Sequence, residues 1–326
     1  LSGGTTDRGR CRPLGRRMTI GIVASGPWAG AGVLAGLHAA EAVGRGAIGG
    51  FVSLAVLTLD GRLLRAETQN SGTKGLFPGD PPDEILQAPR AALISSGPDR
   101  PEPLSQFIAA KPGVGLVTGH RFPQALMRDG QPLNGTILSA MQEGRTAQQA
   151  VDELIADAPG FDAGFIALCV GGEIGIGNMP SVLCRADQGV AMRMCETTSA
   201  SVAALHNAIQ PQNAIGLLAV EAALDAIQLR QTVQYDIILG AGLRLKRGDA
   251  PEVHINEDGQ ATGMTHPRAN DLYEEMSFGM GDRVRVVRKG TQHGWLGHEP
   301  FMVVKQGVVV SLDGQASLKV PVLVPA

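Results

Sequence analysis

Residues 143–182, EGRTAQQAVDELIADAPGFDAGFIALCVGGEIGIGNMPSV, read as one helix that hands over directly to one β-hairpin. Thr146 caps the helix, and Gln149, three residues on, returns a hydrogen bond to the cap's own N–H, the capping-box spacing. Ala147, Ala150, Val151, Leu154 and Ile155 follow at i, i+3, i+4, i+7 and i+8 as a single apolar stripe, which Ala158-Pro159-Gly160 ends. Two strand-like runs, Gly164 to Val170 and Glu173 to Asn178, flank Gly171-Gly172, a pair suited to a two-residue type I′ turn because both positions need positive φ. That turn sets Cys169 opposite Ile174 and Leu168 opposite Gly175. One sheet face then carries Ile166 and Leu168 beside Gly175 and Gly177, with room for a close approach.

The same plan recurs upstream. TIGIVAS (19–25) is a short β-rich run, followed by GPWAGAG and a helix from Ala31 to Val43 with Val33, Leu34, Leu37 and Ala40 as its apolar residues. Phe51 to Leu59 and Arg62 to Thr68 flank Asp60-Gly61, a strong hairpin signal. A third, less regular copy runs as a helix from Ala214 to Ile227, then strands Tyr235 to Lys246 and Glu252 to Gly263 with a turn at Asp258-Gly259. Repeated units of helix and antiparallel hairpin predict an α+β layered fold, its antiparallel sheets covered by helices. Residues 70–105 hold seven of the 20 prolines and read as a long functional loop. From Asp282 onward the pattern is all-β, a small C-terminal β-meander with Asp313-Gly314 as a turn and Arg283, Arg285 and Arg288 on a solvated strand face. The expected division is a disordered tail over 1–17, an α+β domain over 18–278 and a β-rich segment over 279–326.

Composition bounds the function. The chain has 326 residues, 44% hydrophobic and 18% charged, enough for one large core or two domains. A net charge of −3 argues against a nucleic-acid partner, which asks for a basic face. Cys11, Cys169, Cys184 and Cys195 form no CxxC pair, which excludes zinc ribbons and fits a reducing, cytoplasmic compartment. The first 17 residues carry five arginines, yet Gly21, Gly26 and Pro27 break the apolar run behind them too early for a signal peptide. Met18 is therefore the expected functional start, and no stretch is suited to span a membrane.

The two clearest units carry a resemblance. HAAEAVGRGAIGGFVSLAVLTLDGRLLRAET and EGRTAQQAVDELIADAPGFDAGFIALCVGGEIGIGN are similar in order and spacing to the helix-and-hairpin segments of the N-terminal nucleophile (Ntn) hydrolases, in particular the asparaginase and isoaspartyl peptidase branch. The resemblance covers about a third of the chain and implies a layered Ntn-hydrolase-like sandwich. It also implies an amidohydrolase that opens an amide or lactam C–N bond of a small molecule. Such an enzyme attacks with a first-residue hydroxyl or thiol and uses its own α-amino group, with a pKa of about 7.7 to 8, as the base. Thr19 becomes that residue if Met18 is removed. Internal Gly-Thr junctions exist at Gly72-Thr73 and Gly135-Thr136, but neither leads into the Val-Gly-Ala strand that the asparaginase branch has, and Thr136 reads as a helix cap.

Asn178 and Asn207 are the candidate oxyanion donors beside Thr19, and Arg100, His120 and Arg121 the candidate substrate-binding residues, the arginines as planar partners for a carboxylate. His38 reads as a helix-surface histidine, and His293 and His298 fit no metal-ligand template, so neither metal nor cofactor is expected. A small-molecule substrate and no membrane partner complete the expectation; a homo-oligomer is compatible with it. A second class competes. GAGVLA (30–35) fits the GxGxxA form of a dinucleotide fingerprint, with Asp60 as its later acid. A third reading keeps the fold without catalysis, as a small-molecule-binding or assembly protein.

Overall fold

TIGIVAS folds as strand β1 (Thr19–Ser25), buried at all seven positions, as a strand covered on both faces must be. The computed structural model describes residues 18–45, 48–195, 199–211, 214–230, 232–269, 275–281 and 283–325. The expected tail, residues 1–17, lies outside them.

After β1 come α1 (Ala29–Val43), β2 (Val52–Leu57), β3 (Leu63–Thr68), α2 (Asp83–Leu86), β4 (Arg90–Ser96), β5 (Ala109–Lys111) and β6 (Gly115–Arg121). Then follow α3 (Leu133–Gln142), α4 (Ala147–Asp157), β7 (Ala163–Cys169), β8 (Ile174–Asn178), α5 (Pro180–Leu183), β9 (Gln188–Cys195), β10 (Ala200–Asn207) and α6 (Ala214–Arg230). They form an antiparallel six-stranded sheet in the order β3-β2-β4-β1-β10-β9 and a four-stranded sheet in the order β5-β6-β7-β8.

Alternation along the strands sorts three cores. Ile20, Ile22 and Ala24 point to one side of the large sheet and pack with Val33 and Leu37 of α1 and Ala219, Ala223 and Ile227 of α6. Val23, Ile94 and Leu205 point to the other side, where they meet Leu116, Ile166 and Leu168 of the small sheet. Val117, Phe165 and Ala167, on the small sheet's far face, pack with Ile137 of α3 and Val151 and Leu154 of α4. Each fully buried Ile or Leu in these cores contributes roughly 1.5–3 kcal/mol. The fold class is α+β, and within this unit the layers run helices, sheet, sheet, helices.

The expected helix over 147–157 forms with its capping box, Thr146 Oγ1 accepting from Gln149 N at 3.1 Å and Gln149 Oε1 accepting from Thr146 N at 3.0 Å. The hairpin behind it forms one register away from the expected pairing. Leu168 lies opposite Ile174 and Ala167 opposite Gly175, because the loop has three residues, Val170 to Gly172, closed by Gly172 N donating to Cys169 O. Only Gly172 adopts positive φ, 98°, as the last residue of such a loop does. The consequence is a change of face. A Cβ on Gly175 would stand 2.4 Å from the Ala147 backbone, and one on Gly177 2.5 Å from Ile155, so both glycines admit α4 and leave no opening for a ligand. The Asp60-Gly61 hairpin repeats this geometry, Thr58 N donating to Arg62 O across a three-residue loop with Gly61 at φ 82°.

Three expectations change elsewhere. Residues 70–105 contain β4, which is seated between β1 and β2 and buried from Ala91 to Ser96. Thr136 caps nothing: α3 starts at Leu133, and the Thr136 hydroxyl donates back to Pro132 O at 3.2 Å. The third repeat is split, because α6 belongs to the first core while the strands after it pair elsewhere.

Those strands make a second unit, Arg230–Ala326, so the chain divides at residues 229 and 230, well before the expected 278. It contains β11 (Thr232–Gly240), β12 (Leu245–Arg247), β13 (Glu252–Ile255), β14 (Ala261–His266), β15 (Met276–Phe278), β16 (Arg285–Arg288), β17 (Thr291–Leu296), β18 (Met302–Lys305), β19 (Val308–Leu312) and β20 (Ser317–Pro325). The physical reason is pairing: β11 runs along β20 over nine residues and β13 lies beside β16, which ties residues 232–266 to the C-terminal strands. A seven-stranded sheet (β11-β20-β17-β16-β13-β14-β12) and a three-stranded one (β15-β18-β19) share a single core. No helix among the described residues is long and apolar enough to cross a membrane.

Candidate active site

Cross-strand register brings Thr19 between Ser96 of β4 and Asn207 of β10. Odd-numbered residues of β1 face the small sheet, as Val23 does, so Thr19 opens β1 on the inter-sheet side, 4% exposed. Opposite, His120, Gly164 and Asn178 occupy matched positions on β6, β7 and β8. A Cβ on Gly164 would sit 2.0 Å from Asn178 Oδ1 and 2.2 Å from the His120 ring, so only glycine lets those side chains meet over β7.

They do meet. His120 Nε2 lies 2.8 Å from Asn178 Oδ1, and Nδ1 lies 3.2 Å from Asn207. Burial pushes the His120 pKa down to about 4, against its two asparagine bonds, so the imidazole is neutral at pH 7. A neutral ring donates through one nitrogen only, and both nitrogens face amide oxygens, Nε2 that of Asn178 and Nδ1 that of Asn207, so each tautomer satisfies one asparagine at a time. Asn178 Nδ2 in turn donates to Gln188 Oε1 at 3.2 Å.

A cleft opens at Thr19. Phe51, Ile94, Ser96, Arg100, Phe107, Arg121, Phe122 and Gln124 line it. Ser96 Oγ donates to the Met18 carbonyl, on the peptide bond directly before Thr19, and accepts from Arg100 Nη2. Gln69 fixes the segment carrying Arg100, accepting from Arg100 N at 3.0 Å and donating to Arg100 O at 2.7 Å. Arg121 ends β6 in the left-handed region, φ 64°, and its Nε and Nη2 donate to the two oxygens of Asp162. Its side chain is 1% exposed. The third nitrogen, Nη1, is buried without a partner among the described residues, and so is Gln124 Oε1.

The structure therefore gathers Thr19, Asn178, Asn207, Arg100, His120 and Arg121 at one end of the two sheets, and then separates their roles. Thr19, Arg100 and Arg121 line the cleft. His120 is fully buried and is not among the residues that line it, its two ring nitrogens lying against Asn178 and Asn207. Asn178 is likewise a structural bridge, because its amide is committed to His120 and Gln188. Arg121 already holds a carboxylate, that of Asp162, which weakens its expected role as an anchor for a substrate carboxylate. Ser96, Gln69 and Gln124 escape sequence reasoning. The paired serines ending the apolar run AALISS (91–96) are the one available signal.

The glycine-rich start of α1 forms no phosphate cradle. Ala29 N donates to Gly26 O and Gly30 N to Ala88 O, each at 3.2 Å, and a Cβ on Gly30 would stand 1.8 Å from Ile85 O. The first two N–H groups of the helix, which a pyrophosphate would use, are satisfied by backbone. Asp60, the would-be ribose acid, is bonded within its own turn to Thr58 and Arg62, and the Thr58 bond leads in lowering its pKa to about 2. No cluster of metal-ligating side chains occurs among the described residues.

Fold and cleft together define an α+β protein with a polar, partly aromatic site at the head of an interior strand. Residues 19–235, more than half of the chain, match the family described as Domain of unknown function (DUF6963), and the chain belongs to that family. Residues 242–317 match a second family, Domain of unknown function (DUF7259). Among curated proteins, none matches the chain.

Proposed function

We propose that the first unit is an Ntn-hydrolase-like amidohydrolase acting on a small C–N substrate through Thr19. The observation that carries this reading is the seat of Thr19, the first residue of an interior strand, on the cleft between Ser96 and Asn207. The order of layers, two antiparallel sheets between helices, supports the same reading.

The chemistry requires a chain that begins at Thr19. Its free α-amino group takes the hydroxyl proton while Oγ attacks the substrate carbonyl. Ser96 Oγ, on the cleft beside Thr19, is the group to stabilise the oxyanion, with the fully buried Asn207 on the other flank of Thr19. Collapse releases the amine, which carries the proton away, and leaves a threonyl ester for water to hydrolyse.

Expression from Met18 followed by intact-mass measurement and N-terminal sequencing tests the first requirement: a chain starting at Thr19 supports the reading, and a retained Met18 rules the mechanism out. Thr19→Ala should then abolish turnover of any amide or lactam the parent hydrolyses. Retained turnover would overturn the assignment of the nucleophile.

A further inference from the structure

Two sheets of the first unit end in strands β3, β9, β5 and β8, and among the described residues three of these edges are closed to further pairing. β3 carries Arg65 and Glu67, and β5 is only three residues long. The Gln148 side chain covers β8, its Oε1 accepting from Ile176 N at 2.9 Å and its Nε2 donating to Ile176 O at 3.1 Å. Charge, shortness and cover are the usual protections of a sheet edge. β9 has none of them. It runs for eight residues with a single charge, Arg193, which pairs with Glu221 of α6 at 3.4 Å on the helix side of the sheet. On the other face Val190, Met192 and Met194 are 49%, 40% and 66% exposed, because the core between the sheets takes in Ala203 and Leu205 of β10 and no described residue of β9.

The main-chain groups of this edge are open as well. Ala208 N donates to Asp187 O, which continues the β9–β10 ladder by one pair and turns the odd-numbered residues of β9 toward β10. Bonding alternates along an antiparallel strand, so the N–H and C=O groups of Val190, Met192 and Met194 point outward. We infer that two copies of this chain associate through β9, the strands pairing antiparallel about a twofold axis at Met192 and joining two six-stranded sheets into one. That axis sets Met192 opposite Met192 and Val190 opposite Met194, all residues whose main-chain groups face out, and their side chains form one unbroken apolar ladder. The row is its own complement, as a closed twofold contact requires. Charge agrees with a second copy as the occupant: Arg193 meets the second copy's Ala191, so no like charges oppose each other across the axis. Leu217, 39% exposed and one turn before Glu221, extends the apolar surface on the helix side. The inference is independent of the amidohydrolase reading.

Sedimentation velocity and light scattering on the full chain at micromolar concentration should give twice the chain mass. Met192→Lys sets like charges against each other at the axis and should raise the dissociation constant at least about a hundredfold, whereas Met192→Leu should keep the dimer. Circular dichroism checks that both variants stay folded. A Met192→Cys variant should cross-link to its own counterpart under mild oxidation, because the Cα atoms of a hydrogen-bonded pair lie about 5.5 Å apart, within disulfide reach, and peptide mapping would identify the 192–192 link. A monomeric parent would overturn the inference. So would a dimer that survives Met192→Lys and yields no link at position 192. A full chain that is monomeric and dimerises only after removal of residues 1–17 would assign the edge to that segment and overturn it too.

Discussion

His120 and His206 are buried on opposite faces of the large sheet, and they differ in what surrounds the ring. His120 sits between the sheets with a partner on each ring nitrogen; His206, on the helix side of β10, is equally buried with neither ring nitrogen paired among the described residues. Burial drives both pKa values down to about 4, partly countered at His206 by the charge of Asp187. The contrast teaches that burial leads in setting the protonation state, whereas the partners decide whether the residue holds its surroundings together. By that argument His120 organises the cleft, and His206 only fills space between Gly189 and Gly216.

The sharpest way to break the comparison is through the glycines. Gly164→Ala should cost more than about 3 kcal/mol in urea unfolding, because the added carbon occupies the gap in which His120 and Asn178 bond. Gly216→Ala approaches His206 only to 3.3 Å and gains helix propensity in α6, so it should change stability by less than about 1 kcal/mol. Comparable losses in the two variants would erase the distinction.

Next in size is His120→Leu. It removes the ring nitrogens that face the oxygens of two buried asparagines, Asn178 and Asn207, and a destabilisation of roughly 2–4 kcal/mol is expected from calorimetry or chemical unfolding.

The acid limb of stability comes third. Each histidine has a folded pKa of about 4, below its ordinary 6.5, so the unfolded chain binds more protons between those values. Stability is therefore full above about pH 6.5 and falls as the pH drops toward 4. Each tenfold difference in proton affinity between the folded and unfolded chain contributes about 1.4 kcal/mol per group. A melting temperature that is flat from pH 7 to pH 4 would contradict both assignments. The smallest effect is His206→Leu, which removes two unsatisfied nitrogens. It should be neutral or stabilising by up to about 1 kcal/mol at pH 7 and should flatten the acid limb.

Signals in the chain are legible where they act locally. The capping box at Thr146 and Gln149, the stripe of α4 and the turn glycines Gly61 and Gly172 all depend on residues a few positions apart, and all form. The hairpin register differs by one because Gly171-Gly172 suggests a two-residue loop, while the third loop residue, Val170, looks like strand. Strand β4 is hidden because both its faces are covered. AALISS has no alternation to betray it, and the surrounding prolines suggest loop. The site is half legible for a different reason. Thr19, His120, Asn178 and Asn207 each carry a chemical signal, but their division into cleft and scaffold depends on pairings across 58 and 87 residues. Ser96 and Gln124 gain meaning only from neighbours that no linear spacing announces.

The position of Thr19 also governs how the protein should be handled. β1 starts at the cleft, so a fusion partner joined at Thr19 would share its exit with any ligand entering beside Ser96. A purification handle belongs after β20, on the second unit, where nothing is attached to the residue that heads β1.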